Sequence, residues 1–245
     1  MAPVRRRRVT AGAQEGDPRC EVDRQINEKL LQNGSLRMTH VLWGGTTSDS
    51  GSVDHRVGLS IKQLGTLGGS GFITGVKAKV TVLDAEVQDC AANTTGFSQT
   101  RFPIQGFFFN DGTGDIIGFL NIHRDADGVN RISANLTRCS GGTCTGLDNP
   151  PGITFTTQWS LNTPVILKLA WNQAQGKFTF TVTDPATLAT ESKDIVYLGI
   201  LADAGPPTSD FKDFRAANTV KNCSTGRKRN LIDVLVDNVK VRRAP

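Results

Sequence analysis

The chain has no stretch of about 18 consecutive apolar residues, so no helix written in it is long and apolar enough to cross a membrane. The basic start "MAPVRRRR" is followed by "VTAGAQEGDPR", which lacks the apolar core of a signal peptide, and no targeting segment is visible. Among 245 residues there are one tyrosine, Tyr197, three tryptophans and three histidines, few of the side chains that build sugar-stacking platforms or catalytic clusters. His40, His55 and His123 come without a Gly-x-Ser-x-Gly elbow, so no Ser-His-Asp triad is expected. Net charge is also small in the body of the chain. The net charge is +5, and residues 1–19, with five arginines against Glu15 and Asp17, carry +3 of it. Outside that tail the only basic run is "GRKRN" (226–230), read as a solvated loop, and a nucleic-acid partner is not expected.

What the chain has is alternation. From residue 57 onward apolar residues recur every second position, as in "VGLSIKQL" and in "GVKAKVTVLDAEV", where Val76, Ala78, Val80 and Val82 share a face. "FPIQGFFFNDG", "DIIGFLNIHRDADGVNRISANLTRC", "GITFTTQWSLNT", "PVILKLAWNQAQGKFTFTVTD", "KDIVYLGILAD" and "LIDVLVDNVKV" continue the pattern, each ended by turn residues. Many short strands without helical crossovers predict two antiparallel sheets packed face to face, an all-β sandwich. One helix is expected before them: Val22, Ile26 and Leu30 recur at i, i+4 and i+8, with Asn33-Gly34 as the stop. Residues 1–19 read as a disordered basic arm and 20–245 as one domain, in which 20–64 hold the helix and a Gly/Ser-rich loop and 65–245 the sandwich core.

Five cysteines allow two disulfides with one left over. Cys139 and Cys144 flank "SGGT" at the end of a strand. Four intervening residues do not make a C-x-x-C redox motif, and no second Cys or His pair completes a zinc site, so a local disulfide is expected. Cys90 and Cys223 each stand at the polar end of an apolar run, where a second bridge is plausible; Cys20 is the orphan. The oxygen-rich turn "RDADGVNR" sets Asp125, Asp127 and Asn130 like part of a calcium loop, with Asp115 in "NDGTGD" as a further ligand, while the same residues also read as a plain β-turn. Trp159 and Trp171 share parity with core positions. Trp43, Asn110 and Asp111 are therefore the candidate ligand-binding residues. Acidic pairs at 21–23 ("EVD") and 84–86 ("DAE") lack the partners that glycoside hydrolysis needs. Four N-x-S/T sequons begin at Asn33, Asn93, Asn135 and Asn222.

"NTPVILKLAWNQAQGKFTFTVTD" (162–184), "GFFFNDGTGDIIGFLNIHRD" (106–125) and the closing "LIDVLVDNVKV" (231–241) resemble strands of the concanavalin A-like lectin/glucanase superfamily, which includes laminin-G-like domains, over residues 65–242. That resemblance implies a jelly roll of two curved sheets and glycan recognition on a face or rim. The E-x-D-x-x-E strand of the glucanases in that superfamily is missing, so no enzyme is expected. The reading is a non-catalytic carbohydrate-binding module, disulfide-bonded and hence secreted, periplasmic or on a cell surface, with calcium as the candidate cofactor. The alternative is an assembly protein of a surface layer, filament or particle, with other subunits as its partners and the basic arm as its lace.

Overall fold

The computed structural model describes residues 25–32, 34–61, 73–107, 116–140, 146–148, 151–172, 174–197 and 212–243. Where side chains alternate between apolar and polar, a strand can bury one face and wet the other, as Ile73–Val87, Ile116–Asp125, Pro164–Asn172 and Lys177–Thr183 do; fourteen strands form among those residues. The strands are β1 (Gln25–Gln32), β2 (Ser35–Trp43), β3 (Ser52–Ser60), β4 (Ile73–Val87), β5 (Gln99–Phe107), β6 (Ile116–Asp125) and β7 (Asn130–Ser140). They continue as β8 (Gly146–Asp148), β9 (Ile153–Thr154), β10 (Pro164–Asn172), β11 (Lys177–Thr183), β12 (Thr190–Val196), β13 (Lys212–Lys221) and β14 (Arg229–Arg243). One sheet runs β1-β2-β14-β4-β10-β11-β12 and the other β3-β13-β5-β6-β7-β8, with β9 also on β7. Every strand pairing among the described residues is antiparallel, and the inner faces meet in one core. Met38, Val80, Leu167, Phe178 and Phe180 of the first sheet face Phe102, Leu120, Ile122, Leu136 and Phe214 of the second. Trp159 and Trp171 are both buried, Trp171 as its strand parity requires and Trp159 outside any strand, with its expected face-mate Leu161 exposed; the Trp171 indole donates to the Tyr197 hydroxyl at 3.0 Å.

The expected helix is a strand. Ile26 and Leu30 fall on the eight-residue β1, which pairs with β2 from Gln25↔Leu42 to Gln32↔Ser35. Only positions 33 and 34 lie between the paired ends, and Gly34 has φ of 80°. Asn-Gly here closes a two-residue hairpin, the strongest short signal for one, and does not stop a helix. "GITFTTQWSLNT" forms strand only at Ile153–Thr154; beyond it the Trp159 indole donates to the carbonyls of His123 and Arg131, at 3.1 Å each, and that ties the segment beneath the β6–β7 hairpin. The arm at residues 1–19 lies outside the described residues.

Three loops are knitted together at one end of the sandwich. Cys90 and Cys223, 133 residues apart, are disulfide-bonded with Cα atoms 5.8 Å apart. Asn93, buried, donates to Gly51 O (2.8 Å) and Asn222 O (2.9 Å), and its Oδ1 accepts from Gly96 N. Asn222 reaches back to Gly45 N and Ser50 O, and Asp49 accepts from the Ser224 amide and hydroxyl. Two of the four sequon asparagines are thus structural brackets. Gly44 is part of the same junction, where a Cβ would stand 2.3 Å from Lys221 O. Gly44→Ala is expected to cost about 2 kcal/mol or more, since a backbone atom cannot swing aside as a side chain can; a thermal melt unchanged within about 2 °C would contradict this packing.

Candidate functional site

The strands β5, β6 and β7 sit side by side. Arg101 lies opposite His123, and Pro103 opposite Asn121. On the other side His123 faces Arg131, Asn121 faces Ser133, and Phe119 faces Asn135. Because Phe102, Ile104, Leu120, Ile122, Ile132 and Ala134 are buried, the intervening residues must stand on the outer face of the sheet. They are almost all polar. Gln99, Arg101, Phe119, Asn121, His123, Ser133 and Asn135 line a cleft of about 270 Å³ there. The row Phe119–Asn121–His123 runs along β6 for about 13 Å at the usual strand rise.

A hydrogen-bond network fixes these groups. Arg101 binds Asp54 at 3.0 Å and Thr219 Oγ1 at 3.1 Å, and Thr219 donates to the same carboxylate at 2.6 Å. Gln99 donates to Asp125 Oδ1 at 2.7 Å, and Arg131 grips Asp125 Oδ2 at 2.8 Å and Asp127 at 2.5 Å. Asn121 Nδ2 reaches Asn135 Oδ1 at 3.2 Å. The Arg131 hydrogen bonds pull the Asp127 carboxyl down to about 2. Burial lowers the His123 imidazole below its ordinary value, more than the nearby Asp125 charge raises it. At neutral pH the cleft therefore offers a neutral imidazole, which has one donor and one acceptor, beside two amides.

Ser133 and His123 line the cleft and Asp125 stands beside it, yet their arrangement falls short of a hydrolytic triad. Ser133 Oγ lies 3.3 Å from Nδ1, but Nε2 is 3.7 Å from Asp125, beyond hydrogen-bonding distance, and both carboxylate oxygens are engaged by Gln99 and Arg131. Ser133 also sits in mid-strand between β6 and β9, without the exposed backbone N–H pair of an oxyanion hole.

The residues singled out in the sequence lie elsewhere or at the rim. Trp43 is half-buried at the end of β2, in the other sheet. Asp125 and Asp127 belong to a turn closed by Gly128 N donating to Asp125 O at 3.0 Å, with Gly128 at φ 76°, and Arg131 fills the space between the carboxylates. Asn130 donates to Trp159 O at 3.0 Å, and its buried Oδ1 has no partner among the described residues. Asn110, Asp111 and Asp115 lie outside the described residues, as does Cys144; Cys139 is on β7, opposite Leu147. The only three-ligand group within reach of one ion among the described residues is Asp49, Cys90 and Cys223, and its two sulfurs are bonded to each other. Sequence reasoning looked for aromatic platforms and passed over the polar parity of "QTRFP", "FLNIH" and "RISAN" on consecutive strands. Asn135 was noticed only as a sequon.

No family model matches the chain, and no curated protein matches it by sequence. Among solved structures it is similar to the CBM2 module of an evolved Dit protein of Lactobacillus casei BL23 phage J-1 (11% identity, 89% of this chain and 80% of that one, TM-score 0.43). It is also similar to the exoplasmic/lumenal domain of VIP36 in its Ca2+/Man3GlcNAc-bound form (10%, 91% and 86%, 0.38) and to scytalido-glutamic peptidase (14%, 82% and 80%, 0.39).

Proposed function

We propose that the protein is a non-catalytic carbohydrate-binding module of a secreted or surface-exposed protein, and that the glycan lies in the β5–β6–β7 cleft. The observation that carries this reading is the lining itself. The planar amides of Asn121 and Asn135 suit the adjacent hydroxyls of a pyranose, while Phe119 offers an apolar face for its C–H side. Arg101 and Arg131 are already neutralised by Asp54, Asp125 and Asp127, which favours an uncharged sugar. The Cys90–Cys223 bridge supports an oxidising compartment. Residues 1–19 as a flexible arm belong to the same proposal. Calcium remains proposed as a helper: it would displace Arg131 from Asp125 and Asp127 and recruit Asn130 Oδ1 with oxygens of the 110–115 segment, raising the melting temperature at millimolar calcium.

A glycan array followed by calorimetry tests the reading. Asn121→Ala is expected to weaken the tightest neutral glycan at least tenfold, about 1.4 kcal/mol, with the melting temperature held within about 2 °C. Equal binding by the variant, or a silent array with a large ordered oligomer, would favour the assembly reading. The Ser133–His123 contact motivates a second reading, an esterase acting on acylated sugars. No turnover of p-nitrophenyl acetate above the Ser133→Ala background is expected.

A further inference from the structure

The sequence shows no basic stripe in the folded region, yet the first sheet assembles one in space. Lys240 of β14 lies opposite Lys77 of β4, and Lys77 lies opposite Lys168 of β10, so three lysines stand in one row across three strands. At sheet spacing their Cβ atoms are about 5 Å apart. All three are exposed, and none has an ion-pair partner among the described residues. Arg242, two positions beyond Lys240, and Lys79, two beyond Lys77, extend the row into a patch; Asp237 lies 3.0 Å from Lys79, and Asp194, at the far side of β11, is engaged by Lys177 and Thr179. A β-bulge makes this alignment. Asp237 pairs with Lys79 and Lys240 with Lys77, so β14 carries one extra residue there, and Asn238 takes a left-handed φ of 52° to accommodate it. Without the bulge Lys240 and Arg242 would point inward; with it Val239 and Val241 pack on the core and the two cations turn outward. Like charges directly opposite one another destabilise a sheet, so an arrangement that gathers them needs a counter-charge.

We propose that this outer face of β14–β4–β10 docks an acidic polysaccharide, independently of the glycan cleft on the opposite sheet. Charge complementarity calls for a linear polyanion. The outward neighbours Ile166, Ala170, Thr179 and Thr181 include no aromatic ring on which a base could stack, and the two threonine hydroxyls are engaged by Asp194 and Ser192, so the lysine ammoniums are the groups that meet the polyanion. Fluorescence anisotropy of the full chain with labelled oligogalacturonate, against neutral dextran, polyglutamate and an oligothymidylate, is the test. We expect oligogalacturonate to bind best. Lys77→Gln/Lys168→Gln/Lys240→Gln should weaken it at least tenfold and flatten the log K against log salt slope by roughly 2–3, with an unchanged or higher melting temperature. Asn121→Ala in the cleft and Arg227→Gln/Lys228→Gln in the basic loop should leave it unchanged. Undiminished binding by the triple variant would overturn the proposal, as would equal binding of polyglutamate or tighter binding of oligothymidylate.

Discussion

Replacing both Cys90 and Cys223 with alanine is expected to lower the melting temperature by roughly 4–20 °C. The bridge closes a loop with 133 residues of separation, for which the chain-entropy estimate is about 5 kcal/mol, and native disulfides of this kind typically contribute about 2–5 kcal/mol. At about 2–4 °C per kcal/mol for a chain of this size, the melting temperature falls by that range. Both sulfurs are buried, so alanine introduces no unmet polar group, although it leaves a small void. The loss should be local as well as global. The bridge sits at the junction where Asn93, Asn222 and Asp49 hold the loops after β2, β4 and β13 together, so hydrogen exchange should accelerate first at residues 44–51, 88–98 and 222–228. A melt within 2 °C of the wild type would show that those hydrogen bonds suffice without the crosslink.

A second large effect is expected from acid. His40 is fully buried between the sheets, with Nδ1 2.8 Å from the donating Asn218 Nδ2 and Nε2 3.1 Å from His55 Nδ1. A proton on Nδ1 would set two donors against each other. Burial first, and the neighbouring His55 second, hold the imidazole down at about 3 despite the opposing pull of Asp54. The unfolded chain takes up this proton near pH 6.5 and the folded one does not until about pH 3, so the unfolded state binds more protons throughout that window. Stability is therefore full above pH 6.5 and falls as pH drops, by about 1.4 kcal/mol per unit and about 2–3 kcal/mol by pH 4.5. His123, also lowered, adds in the same direction. Carboxylates such as Asp127, held at about 2, lose their contribution only below about pH 4. Urea melts of His40→Gln should show a shallower dependence between pH 6.5 and 4.5. If that variant does not fold, nitrogen chemical shifts of wild-type His40 should report a neutral ring at pH 4.5. A charged ring there would contradict the burial argument.

Parity made the core legible. Val76, Ala78, Val80 and Val82, and Leu167, Leu169 and Trp171, are buried where alternation put them, because a period of two has only one solution once one face is dry. The N-terminal hairpin was misread because Val22, Ile26 and Leu30 are spaced by four, which suits a helix face and also fits every second position of an edge strand. Asn33-Gly34 was the better evidence. The cleft could be read only after knowing that β5, β6 and β7 are consecutive neighbours, since no single strand carries more than three of its residues. The lysine row was hidden for the same reason, and by a bulge that reverses the parity of β14 after Asp237.

The most direct test of the cleft is a two-dimensional NMR titration of the labelled protein with the tightest glycan from the array, following the side-chain amides of Gln99, Asn121 and Asn135 and the imidazole of His123. Saturable shifts confined to these groups and their strand neighbours are the expected result, with Asn172 and Asn238 on the opposite sheet unmoved. Shifts centred on Trp43 or on the β14–β4–β10 face, with the cleft amides silent, would contradict the account.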